Sequence, residues 1–144
     1  MIILISEELK AIIGKLNKQG KMAFLEAATK EQIALFEENN KVKLPSKYKE
    51  WLEYSDGGDC FLPAGVQFYG VYHKPLINVD CNDRPDDSYV IIGTLATGDP
   101  VLYKKESEQI SIYNQEAARI EEDEVYDDFY SFLNDLYYLL GIEG

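Results

Sequence analysis

The chain has 144 residues, 46% hydrophobic and 12% aromatic, with 26 acidic against 14 basic side chains and a net charge of −12. That composition suits one folded domain over residues 1–144 and excludes a disordered or low-complexity chain. A field this negative repels phosphate and anionic lipid, so nucleic-acid binding and a membrane-surface role are disfavoured, while a cationic partner is drawn in.

Residues 1–5 are apolar and read equally as a short strand or as the start of the first helix; they are too few, and lack the basic flank, for a secretory signal. Ser6 offers a cap for a helix in which Leu9, Ile12, Ile13 and Leu16 recur on one face, ending near Gly20. Residues 22–25 form a brief apolar run suited to a sheet edge. Thr29 and Gln32 have the spacing of a capping box and open a second helix through Ile33, Leu35 and Phe36 to Asn39 and Asn40. Leu44 and Pro45 lead into a third helix, with Ser46 as its cap, Tyr48, Trp51 and Leu52 on one face, and Asp56-Gly57-Gly58 as its stop. Trp51, the one tryptophan, reads as a core anchor whose indole N–H needs a buried acceptor.

After Gly58 the period changes. Residues 66–72, rich in β-branched and aromatic side chains, read as a strand, and residues 75–79 as a short extended piece. Residues 80–87 are a loop by composition. Residues 89–95, 101–103 and 109–113 read as three strands whose short connections favour an antiparallel meander. In the third, Ile110 and Ile112 alternate with Ser111 and Tyr113, the pattern of a sheet with one buried face. The last helix carries the widest apolar stripe, through Val125, Phe129, Phe132, Leu133, Leu136, Leu139 and Leu140, with Asp127 or Asp128 at its start and Gly141 at its end. The elements together make an α+β fold: an antiparallel sheet of about four to six strands, packed by N-terminal helices and a long C-terminal helix.

Leu44, Pro45, Tyr48, Trp51 and Leu52, followed by Gly57 and Gly58, resemble the signature of the SUKH superfamily. Gly70 in the run 68–71 resembles the family's strand after the glycine turn. Gly93, Gly98 and Asp99 resemble its central hairpin, and Phe129, Phe132 and Leu133 the aromatic opening of its last helix. The ordered set covers about residues 29–140 and leaves the lysine-rich start outside. The resemblance implies the same α+β architecture. It also implies a role without catalysis, since the bacterial members are best known as immunity proteins against secreted toxins, many of them nucleases. The alternative it offers is a regulatory interaction adaptor, as in the eukaryotic cell-wall-assembly regulators.

Spacing argues against a built-in reaction. A calcium loop starting at Asp80 meets Pro85 where glycine is needed and Ile91 where glutamate is needed, and one starting at Glu121 meets Tyr126 at the glycine position. One histidine, His73, and two cysteines, Cys60 and Cys81, supply neither a zinc-ligand set nor a nucleophile motif. No cofactor or metal is expected, and two reduced thiols fit a cytoplasmic protein. Whether the two cysteines lie close together is open.

What remains is binding. Residues 1–49 carry nine lysines and six acids (+3), whereas residues 50–144 carry five basic and twenty acidic side chains (−15). Solubility alone is the plainer account of that acidity; joined to the family resemblance, it points to a basic protein partner. The candidate contacts are Asp56 and Asp59 at the glycine turn, Tyr69 and Tyr72 after it, Asp80, Asp83, Asp86 and Asp87 in the acidic loop, and Glu121, Glu122, Asp123 and Glu124 before the last helix. The expected partner is a cognate toxin, bound by a monomer or weak dimer, with tyrosines such as Tyr54, Tyr69 and Tyr72 as anchors.

Overall fold

In a computed structural model of the chain, residues 6–79 and 84–140 are described. Ser6 caps α1 (Glu7–Gln19) by accepting from the Leu9 amide, and Leu9, Ile12, Ile13 and Leu16 are its buried stripe. Thr29 and Gln32 close the expected capping box on α2 (Lys30–Asn40), whose buried residues are Ile33 and Phe36. Leu35, in the same helix, is 57% exposed. It sits two positions from Ile33, about 200° around the helix, and so falls off the buried stripe.

The third helix, α3 (Ser46–Leu52), is short, and Ser46 makes no side-chain cap for it. The cap comes instead from Glu108, whose carboxylate accepts from the Ser46 amide (2.9 Å), the Ser46 hydroxyl (2.9 Å) and the Lys47 amide (3.3 Å). A negative group at a helix start satisfies unpaired N–H groups and suits the local dipole, and here a distant residue supplies it.

Six strands follow: β1 (Gly58–Cys60), β2 (Val66–Phe68), β3 (Tyr89–Leu95), β4 (Pro100–Lys104), β5 (Ile110–Asn114) and β6 (Arg119–Tyr126), antiparallel and paired in chain order. α4 (Phe129–Leu139) then packs on α1, α3 and β6. This is the expected α+β meander. β1 was not foreseen; it pairs with β2 and, through Asp59, with Ala23 in the apolar run before α2. β2 is shorter than the 66–72 run because the amides beyond residue 70 are taken by a side chain, described below. Val125 belongs to β6 and not to the last helix, which starts one residue after its cap Asp128. Gly141 lies outside the described residues, as do residues 1–5.

The core gathers under α3. Trp51, Tyr48, Phe68, Phe129 and Phe132 are fully buried, and their rings meet edge-on: Tyr48 and Phe129 at 4.8 Å, Phe68 and Phe129 at 5.2 Å, Trp51 and Phe68 at 5.6 Å. Such edge-to-face pairs place positive ring edges on negative ring faces. The Trp51 indole N–H finds its acceptor in the Gly57 carbonyl at 2.9 Å, and the Tyr48 hydroxyl donates to the Tyr69 carbonyl at 2.5 Å. On the opposite sheet face, Ile91, Leu102 and Ser111 form a cross-strand row that is also buried, so Ser111 does not face solvent as the alternation suggests.

Candidate protein-docking site

The glycine turn after α3 directs one carboxylate inward. Gly57, at φ +100°, approaches the Phe68 carbonyl so closely that a Cβ would lie 2.7 Å from it, and this bend carries Asp56 into the interior. The Asp56 carboxylate accepts from the amides of Val71 (2.8 Å), Tyr72 (3.0 Å) and His73 (2.7 Å), and His73 Nδ1 lies 2.9 Å away. Its exposure is 0%. Expected as a docking residue, Asp56 is therefore a buried brace: three converging N–H groups stabilise the carboxylate and bend residues 71–73 away from β2.

The remaining candidates fall in different places. Asp59 lies on β1, half-buried, and exchanges backbone hydrogen bonds with Ala23. Tyr69 is half-buried, its hydroxyl against Thr94 Oγ1, and Tyr54 is half-buried with its ring 5.1 Å from Phe24. Tyr72 is 64% exposed. Asp80, Asp83 and Cys81 lie outside the described residues. Asp86 and Asp87 are exposed: Asp86 accepts from the Ser88 amide (2.7 Å), which holds its carboxyl below the usual range, and Asp87 pairs with Arg84 (3.0 Å).

Residues 121–124 were expected just ahead of the last helix, and they lie within the edge strand β6. Ser111 pairs with Val125 and Tyr113 with Ile120, so the four acids stand opposite Ile112 alone and bulge from the ladder. Glu121 accepts from Asn114 Nδ2 at 3.0 Å and lies 3.5 Å from Arg119. Glu122 and Asp123 are exposed and form no ion pair among the described residues. Burial, followed by the charges of Asp123, Glu121 and Asp99, pushes the Glu124 carboxyl up. Asp99, read as a hairpin residue, thus belongs to this acidic group, and only strand register could have revealed it.

The two acidic segments do not meet. The turn carrying Asp86 and Asp87 precedes Tyr89, which pairs with Lys104, whereas Asp99 precedes Pro100, which pairs with Thr94. They occupy opposite ends of β3, a strand about 20 Å long.

Burial pushes the Cys60 thiol up to about 12, far from the thiolate that nucleophilic work needs. Among the described residues no group of three or more His, Cys, Asp or Glu side chains is placed to hold a metal. No described helix is long and apolar enough to cross a membrane.

No curated protein matches the chain by sequence. The model of the SMI1 / KNR4 family (SUKH-1) matches residues 27–135, from just before α2 to within α4. With the glycine turn, the meander and the aromatic helix in the family's order over about three quarters of its length, the chain belongs to the SMI1 / KNR4 family (SUKH-1).

Proposed function

We propose that this chain is a non-catalytic, cytoplasmic immunity protein that binds a basic toxin domain of the nuclease type and blocks it stoichiometrically. The observation that carries the reading is the acidic bulge of β6, in which Glu122 and Asp123 face solvent beside Glu121, Glu124 and Asp99. Carboxylates crowded in this way repel one another, and lysines and arginines of a partner relieve that repulsion as they dock. In that mechanism they stand in for the phosphates that a nuclease would otherwise hold.

The test is to read the adjacent genes for a toxin domain and to co-express the chain with any that is found there. Protection of the host, a 1:1 complex and salt-sensitive affinity are expected. Failure to protect, or turnover of the toxin by substoichiometric chain, overturns the reading. A regulatory adaptor role is favoured by the SMI1 / KNR4 membership itself. It predicts a stable complex with a signalling protein and no adjacent toxin gene.

A further inference from the structure

The outward ridge of α4 is bare among the described residues: Ser131, Asn134, Asp135 and Tyr138 are exposed at i, i+3, i+4 and i+7, and Tyr138 is 59% exposed. The helix packs on α1 and on β6, so the ridge has two flanks. α1 runs beside it in the same direction: Ser6 and Tyr130 meet on Glu50, Lys15 donates to the Asn134 carbonyl at 3.3 Å, and Gly20 and Tyr137 both lie against Phe61.

The two flanks carry opposite charge. On α1, Lys15 and Lys18 lie one turn apart and Lys21 follows; all are exposed, and none is in an ion pair among the described residues. Glu8, the acid on this flank, stands two turns before Lys15, toward the start of α4. On the β6 side the Tyr126 hydroxyl donates to Asp135 at 2.7 Å. Burial, that hydrogen bond and the charges of Asp135, Glu124 and Asp123 push the hydroxyl up, so carboxylates from β6 and α4 gather there. Asp123 and Glu124 form no ion pair among the described residues, whereas Glu121 is taken by Asn114 and Arg119. Lys15 reaches Asn134 and Tyr126 reaches the next residue, Asp135, so the basic and acidic flanks stand at the same height along α4.

We infer that the α4 ridge docks a second copy of this chain about a two-fold axis parallel to the helix, so that Lys15 and Lys18 of each copy face Asp123, Glu124 and Asp135 of the other, with Tyr138 of both between them. Such an axis exchanges the two flanks but keeps height, so a surface ordered basic flank, ridge, acidic flank is its own complement, and every pair forms twice. Turning the second copy end over end would set lysine against lysine. The order of charge thus selects both the occupant and its orientation. Each copy carries −12, but that repulsion is screened beyond about 8 Å at physiological salt, whereas touching pairs persist. The inference does not rest on the toxin reading. A toxin held by Glu122 and Asp123 competes with the second copy, in keeping with a 1:1 complex.

Sedimentation equilibrium of the full chain at about 0.15 M salt, up to about 1 mM protein, should show a reversible dimer. Lys15→Glu with Lys18→Glu turns the basic flank acidic, and Asp123→Lys with Asp135→Lys turns the acidic flank basic. Each pair should weaken self-association about tenfold or more. An equimolar mixture of the two variants should restore it as a heterodimer, because every flank again meets its opposite. Tyr138→Ser should weaken the parent dimer about threefold. Asp123→Lys alone keeps the hydrogen bond between Tyr126 and Asp135 and should act in the same direction, so a double variant that misfolds by circular dichroism leaves the test standing. A parent that stays monomeric at about 1 mM overturns the inference and leaves the toxin reading intact. Dimerisation untouched by either reversal, or a mixture of the two variants that stays monomeric, overturns it as well.

Discussion

Around α3, carboxylates act inward. Asp56 gathers three amides and the His73 ring, Glu108 caps a helix 62 positions away, and Glu50 accepts from Ser6 and Tyr130, joining α1, α3 and α4. Along β6 the same functional group stands in solvent, where Glu122 and Asp123 have no ion pair among the described residues and Glu124 is pushed up by burial and by like charges. The contrast shows that a count of acids says little by itself. A carboxylate that satisfies buried donors is a structural element, whereas one held in solvent among its own kind is, on the function proposed here, available to a partner, and the two should respond differently to removal.

The largest effect should come from the inward set. Asp56→Ala leaves three amides without their acceptor and should cost about 3–4 kcal/mol, a large share of a domain's typical stability. Gly70→Ala attacks the same brace from outside, since its Cβ would lie 2.6 Å from Asp56 Oδ1. Urea denaturation followed by circular dichroism checks both, and an Asp56→Ala midpoint equal to that of the parent would break the comparison at its strong end. Glu108→Ala should cost about 1 kcal/mol, the scale of a lost helix cap, measured the same way.

The outward set should behave differently. Glu122→Gln with Asp123→Asn should change stability by less than about 0.5 kcal/mol while lowering affinity for a cationic partner and flattening its dependence on salt. The smallest effect is on pH. The raised Glu124 carboxyl takes up its proton more readily in the folded chain, so between its raised value and the ordinary 4.5 stability should rise slightly as pH falls, and Glu124→Gln should remove that rise. Asp128 has the opposite sign. Burial pushes it up, but hydrogen bonds from Lys47 and Ser131 outweigh burial and hold it below 3.8, so its contribution is present above that value and is lost as pH falls further. Stability curves of the two single variants across acid pH separate these contributions.

The helices and the β3–β5 meander could be read from the chain because their signals are local: Ser6, Thr29 with Gln32, and the stripe at Tyr48, Trp51 and Leu52 each act within a few residues. What escaped was set by distant partners. Ser46 looked like a cap, yet Glu108 does the capping; residues 71 and 72 had strand character, yet Asp56 claims their amides. The acidic run hid β6 because its hydrophobic alternation is broken by the bulge opposite Ile112. For the site, the composition pointed to acidic contacts but gave no means of sorting them, since burial of Asp56 and the nearness of Asp99 to Glu124 depend on turn geometry and register. Leu35 shares α2 with Ile33 and Phe36 but is turned about 200° from Ile33, off the stripe that they bury.

The central claim is that the exposed carboxylates of β6 bind a cationic protein and contribute nothing to the fold. Calorimetric titration of a toxin domain, if one is encoded in an adjacent gene, into the parent chain and into a variant with Glu122 changed to Gln and Asp123 to Asn tests it most directly. The account predicts an unchanged unfolding midpoint with affinity reduced by about tenfold or more and a shallower salt slope. Equal affinity and equal salt slope in the two proteins would contradict it.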